Sequence, residues 1–138
     1  MTVAKIDHVN IRTPDVAGTA AFFHDVLDME VTPGPGMTTD QSCWMRDEGG
    51  MPAVHIGKQD LTYPTDHWLP AGEAPGKGPM HHVALNCQGF DAVKARLETR
   101  GFRHSENRLD EIGLKQLFVF EPNGILLELN FWETPAAA

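Results

Sequence analysis

The sequence predicts an α+β fold in which two tandem βαβββ modules form a cupped mixed sheet with helices on its outer face. Short runs of alternating apolar and polar residues are typical of strands, and two segments have the apolar spacing of a helix. The order of these elements repeats once along the chain. We therefore expect a single domain over 1–138, with modules at about 4–57 and 80–132 joined by a linker at 58–79.

Composition excludes several classes of function. The 138 residues include 11 Lys and Arg against 19 Asp and Glu, a net charge of −8, which argues against nucleic acid or an anionic membrane as the main partner. No apolar stretch reaches transmembrane length, and Met1 to Arg12 lacks the pattern of a secretion signal. These features predict a cytoplasmic protein. Its two cysteines, Cys43 and Cys87, are expected to be reduced and structural.

The first module begins with a strand from Lys5 to Arg12. Thr13 is predicted to cap a helix that runs to about Leu27, with Pro14 in its first turn. A short strand is expected near Val31. Within the first strand, alternation places one set of side chains on a common face: His8, Asn10 and Arg12.

Two further strands complete the first module. Ser42–Arg46 and Ala53–Gly57 are separated by Asp47-Glu48-Gly49-Gly50, which has the composition of a hairpin turn. Trp44 and Arg46 share one face of their strand. The segment from Lys58 to Met80 contains too many prolines and glycines for a regular element and is predicted to be a linker.

The second module repeats this order. A strand is expected from His82 to Cys87, a helix from Asp91 to Arg100 ending at Gly101, and a short strand over Phe102–His104. The module ends in a hairpin from Leu117 to Phe131 around the turn Glu121-Pro122-Asn123-Gly124.

One residue of this hairpin needs an explanation. Glu128 lies inside an apolar run, on the same predicted face as Leu126 and Asn130. Burial of an unpaired carboxylate is costly, so a cation, a metal ion or solvent has to compensate it. Taken alone, the strand favours a solvated face or an arginine partner.

The repeat changes that interpretation. Alignment of the two modules places His8 opposite His82 and His55 opposite Glu128, with separations of 47 and 46 positions. Aliphatic neighbours on both sides of each residue put these four side chains on one inner face. Three imidazoles and a carboxylate form a ligand set suited to one divalent ion per site, such as Fe, Mn, Co, Ni or Zn.

At these residues the chain resembles the vicinal oxygen chelate superfamily, which holds glyoxalase I, extradiol dioxygenases and bleomycin resistance proteins. The resemblance covers nearly the whole chain and is carried by four segments: Asp7 to Ile11, Phe22 to Leu27, His81 to Leu85, and Phe118 to Leu129. It implies the glyoxalase/bleomycin resistance/dioxygenase fold, with a metal held by His8, His55, His82 and Glu128. Isomerases and lyases of the family more often have Glu or Gln at the position of His55.

The resemblance implies a metal-dependent, glyoxalase-like isomerase or lyase. The metal would chelate a small oxygenated substrate and stabilise an enolate-type intermediate, with Glu128 or His55 as the base. An Fe(II) extradiol ring-cleaving dioxygenase is the main alternative. In it His8, His82 and Glu128 hold the iron, and His55 acts as an acid or base without binding the iron. A metal-free protein that binds a small molecule or confers resistance is a third.

Other residues have weaker assignments. Arg12, Asn10 and Asn86 share the inner face and either bind substrate or only line the site. His81 is expected to face away from His82, because neighbouring strand residues point in opposite directions. His67 lies in the linker. We further expect a homodimer with sites shared between chains, since the linker is long enough to exchange modules.

Overall fold

The computed structural model describes residues 5–62 and 80–133. These fall into two units, within Met1–Ala74 and Pro75–Ala138. Each unit has the order βαβββ, so the tandem βαβββ prediction is confirmed. Residues 63–79, which include most of the predicted linker and His67, lie outside the described residues. The elements are β1 (Val9–Thr13), α1 (Val16–Leu27), β2 (Glu30–Pro33), β3 (Ser42–Arg46), β4 (Pro52–Lys58), β5 (Val83–Cys87), α2 (Phe90–Thr99), β6 (His104–Leu109), β7 (Leu114–Phe120) and β8 (Leu126–Trp132).

The sheet of the first unit has the strand order β1-β4-β3-β2. β1 and β4 run parallel, whereas the other pairs are antiparallel. Helix α1 contacts all four strands, and its buried residues, among them Phe22, Phe23 and Val26, supply the apolar surface. The strands bury their alternate residues: Ile11, Cys43, Met45, Val54 and Ile56.

The second unit repeats this sheet as β5-β8-β7-β6. Val83 pairs with Leu127 in the parallel β5–β8 pair, as Val9 pairs with Val54 in β1–β4. The Phe90 ring of α2 packs edge-on against Phe131 of β8, with ring centroids 5.4 Å apart. This packing fixes which face of the sheet the helix covers, namely that of Leu117, Leu129 and Phe131, all buried.

The start of the chain differs from the sequence prediction. β1 begins at Val9 rather than Lys5, so His8 precedes the strand. The helix cap is Asp15, not Thr13, because the Asp15 carboxylate accepts a hydrogen bond from the backbone N–H of Gly18. Thr13 remains in β1, where it pairs with Lys58.

Strand β6 is longer than the sequence predicted and begins later in the chain. The predicted strand covered Phe102–His104, whereas the observed strand is His104–Leu109. Nearly all of its side chains are polar and exposed, so the segment lacks the alternation that marks a half-buried strand. Its pairing with β7 stabilises it instead.

The turn before β8 contains a buried carboxylate with a structural role. Glu121 is 2% exposed. Its Oε1 accepts hydrogen bonds from the backbone N–H groups of Asn123 and Ile125, at 2.7 and 2.9 Å, and its Oε2 accepts one from the Asn123 side chain at 2.8 Å. The equivalent turn of the first unit uses Asp47, which accepts from the Met51 N–H at 2.9 Å.

Glu121→Ala should therefore lower the free energy of unfolding by about 2–4 kcal/mol, because three donors lose their acceptor. Glu111→Ala, at an exposed position, is the control and should change it by less than about 0.5 kcal/mol. Urea denaturation of the two variants measures both effects. Equal free energies of unfolding for the two variants would show that water replaces the Glu121 carboxylate without loss of stability.

Both cysteines are free thiols, Cys43 buried and Cys87 half-buried. Burial raises the pKa of both thiols, that of Cys87 to about 11. At pH 8 only about one Cys87 thiol in a thousand would be ionised. Because the thiolate is the reactive form of cysteine, a raised pKa makes a thiol less reactive. We expect both to resist iodoacetamide until the protein is denatured, as mass spectrometry would show. Rapid labelling of the native protein would contradict this.

Candidate metal centre

Each sheet has one face that its helix does not cover, which we call the helix-free face. In the first unit this face carries Asn10, Arg12, Trp44, Arg46 and His55, and in the second Asn86, Gln116, Phe118, Glu128 and Asn130. Alternation along the strands places them there, opposite the buried set. The prediction that Glu128 and Asn130 share a face is thus confirmed.

His8 lies just before β1 and is oriented by its neighbour. Its Nδ1 is 2.6 Å from Oδ1 of Asp7. This hydrogen bond is the main cause of the lowered pKa of the Asp7 carboxyl. Because Nδ1 is engaged by the carboxylate, Nε2 is the ring nitrogen of His8 that remains for a metal ion.

His55 of β4 is held in a stack of three rings. Its imidazole lies 3.7 Å from that of His8, with 12° between the planes, and 4.5 Å from the Trp44 ring, with 9° between the planes. Arg46 lies over the other end, with its Cζ 5.8 Å from the Trp44 centroid. The stack fixes the plane of the His55 ring.

The His55 ring has one polar atom without a partner. Its Nε2 is buried and makes no hydrogen bond within the described part of the chain. Burial is the main cause of the lowered pKa of His55, and the charge of His8 lowers it further. A buried imidazole nitrogen without a partner is costly unless something binds it. This nitrogen therefore fits a metal ligand.

In the second unit His82 precedes β5 and faces Glu128 of β8. The distance from Nε2 of His82 to Oε1 of Glu128 is 3.9 Å. The other carboxylate oxygen, Oε2, accepts a hydrogen bond from the Asn130 side chain at 3.0 Å. The unit thus presents an imidazole nitrogen and a carboxylate oxygen side by side.

The expectation that His81 faces away from His82 was wrong. His81 and His82 both precede β5, so strand alternation does not separate them. Their Nδ1 atoms are 3.0 Å apart and their rings are perpendicular. Only one of these two nitrogens can carry the shared proton. When His82 carries it, His81 accepts the hydrogen bond and the Nε2 of His82 is left for a ligand.

The structure groups the four predicted ligands as two pairs, His8 with His55 and His82 with Glu128. Within residues 5–62 and 80–133, no group of three or more His, Cys, Asp or Glu side chains is arranged to hold a metal ion. The four-ligand site therefore stays a prediction.

The three predicted substrate-binding residues lie on the helix-free faces. Asn10 is exposed and pairs with His55 across β1 and β4, and half-buried Arg12 pairs with Gly57. Asn86 is exposed and pairs with Asn130. Their register places Asn10 and Arg12 on the same side as His55, so a substrate held there would lie along β1.

Sequence reasoning missed several residues that orient the candidate ligands. Asp7 and Trp44 contact His8 and His55, and Asn130 contacts Glu128. Asp7 adjoins His8 in the sequence, and Asn130 follows Glu128 by two positions on the same face, so both were open to prediction. The Trp44 contact depends on the β3–β4 register, which the sequence did not provide.

The family follows from a match over most of the chain. The profile of the glyoxalase/bleomycin resistance protein/dioxygenase superfamily matches residues 5–129. The chain belongs to this superfamily. The resemblance to vicinal oxygen chelate proteins and the expected fold are thereby confirmed. No curated protein sequence is significantly similar to it.

Solved structures of this superfamily share the fold. A glyoxylase/bleomycin resistance protein/dioxygenase domain from Frankia sp. EAN1pec matches with a TM-score of 0.67 at 17% identity, over 98% of this chain and 96% of that one. Lactoylglutathione lyase from Agrobacterium tumefaciens matches with a TM-score of 0.64 at 17% identity, over 95% and 96%. The genomically encoded fosfomycin resistance protein of Listeria monocytogenes matches with 0.63 at 15%, over 94% of each chain.

None of the described helices of this superfamily member is long and apolar enough to cross a membrane.

Proposed function

We propose that this chain is a metal-dependent, glyoxalase-like isomerase or lyase that acts on a small oxygenated substrate. One divalent ion per site would be held by His8, His55, His82 and Glu128. The observation that carries the proposal is the buried Nε2 of His55, which has no partner among the described residues and lies in a ring stacked on His8.

The donor set fits a divalent ion in a second respect. His8 and His82 each use Nδ1 for a neighbouring side chain, Asp7 and His81 respectively, which leaves Nε2 for a ligand. Metal-binding histidines are commonly oriented in this way by a hydrogen bond at the other ring nitrogen. With Glu128, the set contains imidazole and carboxylate donors, as Fe, Co, Ni, Mn and Zn accept.

When bound, the divalent ion would polarise a substrate carbonyl and so stabilise negative charge on the adjacent carbon. The proton lost from that carbon needs a base within reach. Glu128 would detach from the ion to supply one at Oε1, since Oε2 is engaged with Asn130, and return of the proton from the same oxygen to a different position would complete an isomerisation. His55, whose pKa is lowered mainly by burial, is the alternative base.

Arg12 is proposed to bind a substrate carboxylate. Arg12→Ala should raise KM roughly ten-fold or more with little change in metal content, because a lost charged hydrogen bond costs about 1.5–3 kcal/mol. Steady-state kinetics and elemental analysis of the purified variant measure the two quantities. An unchanged KM would mean that Arg12 only lines the site.

One observation favours a second function, extradiol ring cleavage. Parallel rings 3.7 Å apart cannot both direct Nε2 in plane at one ion without a rotation. If His8 binds the ion, the His55 ring stacked on His8 would transfer protons without being a ligand. His8, His82 and Glu128 would then form the two-histidine, one-carboxylate set of Fe(II) oxygenases.

Metal analysis combined with oxygen uptake distinguishes these proposals. The protein is purified without added metal, its metal content is measured, and oxygen consumption is followed with catechol substrates. Nickel, cobalt, manganese or zinc without oxygen uptake supports the isomerase or lyase. Iron with catechol-dependent uptake supports the dioxygenase, and protein that neither contains nor binds any of these metals contradicts both.

A further inference from the structure

The helix-free face of the second unit carries a row of hydrogen-bonded amide side chains across three strands. Asn107 of β6 donates from Nδ2 to Oε1 of Gln116 on β7, at 2.8 Å. Gln116 donates from Nε2 to Oδ1 of Asn130 on β8, at 3.0 Å. The strand register aligns these residues, since Asn107 pairs with Gln116 and Gln116 with Asn130. We call this row the amide ladder.

The ladder ends on the candidate ligand. Asn130 donates from Nδ2 to Oε2 of Glu128, at 3.0 Å. Gln116 and Asn130 therefore each accept from the preceding amide, and all three amides donate toward the carboxylate, so their N–H groups point in one direction. Each bond polarises the next, and the last donor is the strongest.

The surroundings of the ladder keep it ordered. Gln116 is 8% exposed, and its neighbours on the same face of β7 are Leu114 and Phe118. In such an apolar setting an amide that lost its partner would carry the full cost of desolvation. The ladder thus has one favourable arrangement, and the orientation of Asn130 is fixed from two strands away.

The first unit shows that the fold does not require these amides. Phe118 pairs with Glu128 as Trp44 pairs with His55, so the positions equivalent to Gln116 and Asn130 are Ser42 and Gly57, which also pair with each other. No amide pair stands there, although the strands are the same. The amides are therefore present in the unit that carries Glu128 and absent from the equivalent positions in the unit that carries His55.

We infer that the Asn107–Gln116–Asn130 ladder is a positioning device for Glu128, which occupies Oε2 and leaves Oε1 as the atom that binds the metal or moves the proton. This inference rests on the proposed function of Glu128. It assigns Asn130, Gln116 and Asn107 as positioning residues whose effect diminishes with distance from the carboxylate.

The test uses neutral, nearly isosteric substitutions in the full-length protein. Co²⁺ affinity is measured by competition with a chromophoric chelator for Asn130→Leu, Gln116→Met and Asn107→Leu. Loss of such an outer partner commonly weakens metal binding about 10- to 100-fold, so Asn130→Leu should lie in that range. Gln116→Met should show a smaller loss, and Asn107→Leu, at an exposed position, the smallest.

A second readout needs no metal. The side-chain NH₂ signals of Asn130 in the ¹⁵N-labelled, metal-free protein should shift in Gln116→Met and in Asn107→Leu. Leu117→Val is the matched control, because Leu117 adjoins Gln116 but is buried on the opposite face. It should lower stability while leaving both the Asn130 signals and the Co²⁺ affinity unchanged. If Gln116→Met fails to fold, Asn107→Leu carries the test.

Glu128→Gln separates the two claims. If it weakens Co²⁺ binding while Asn130→Leu and Asn107→Leu bind as the wild type does, the ladder inference is overturned and the proposed site stands. If Glu128→Gln itself binds Co²⁺ normally, the proposed role of Glu128 fails and the ladder has nothing to position. A graded loss along the ladder supports both claims.

Discussion

His82→Ala and Glu128→Gln should each weaken binding of divalent metal by roughly 100-fold or more, because few donors share the binding free energy of a protein-bound ion. Glu128→Gln keeps the shape of the side chain and removes its charge, so its effect reports the electrostatic contribution of Glu128 to metal binding. Elemental analysis after gel filtration, together with a Co²⁺ titration, measures the loss.

Two further histidine variants serve as controls for this result. His24→Ala should keep full metal content, since His24 is exposed on α1 and bonded to Asp25. His81→Ala should weaken binding only about ten-fold, because its contact with His82 orients a ligand without providing one. Equal losses in all four variants would indicate general unfolding and contradict the ligand assignment.

Complementation between two inactive variants should restore activity if sites are shared between chains. We propose a homodimer in which His8 and His55 of one chain and His82 and Glu128 of the other form each site. Phe120 and Trp132, on the same face of their strands as Glu128, are 59% and 38% exposed. Such apolar surface is the kind that a partner covers.

The experiment mixes His8→Ala with Glu128→Gln after denaturation and refolding. In a shared-site heterodimer one site loses both residues and the other stays intact, so random reassembly should recover about a quarter of wild-type activity. Each variant refolded alone is the control. Heterodimers isolated with two affinity tags but without activity would place all four residues within one chain.

The sequence predicted the fold well where alternation and repetition were strong. Strand β3 was predicted at its exact bounds, Ser42–Arg46, because its alternate residues Cys43 and Met45 are buried. Strand β6 was not, since His104–Leu109 is polar on both faces and is held by pairing with β7. Asp15 replaced Thr13 as the helix cap because the sheet retained Thr13.

The candidate ligands were predicted from the alignment of the two repeated modules. His55 and Glu128 pair with Asn10 and Ala84 at equivalent registers of the two sheets, which is the relation that the aligned repeats anticipate. The contacts that orient these ligands depend on neighbouring strands instead. Trp44 reaches His55, and Gln116 reaches Asn130, only through pairings that a single strand pattern does not specify.

X-ray absorption spectroscopy of the Co²⁺-loaded protein is the sharpest test of the proposed metal centre, because it reports the number and type of donor atoms around the ion. We expect one ion per chain with nitrogen and oxygen donors at about 2.0–2.2 Å and the multiple scattering of two or three imidazoles. His82→Ala should lower the imidazole contribution. A sulfur donor, or an ion without imidazole ligands, would contradict the proposed metal centre.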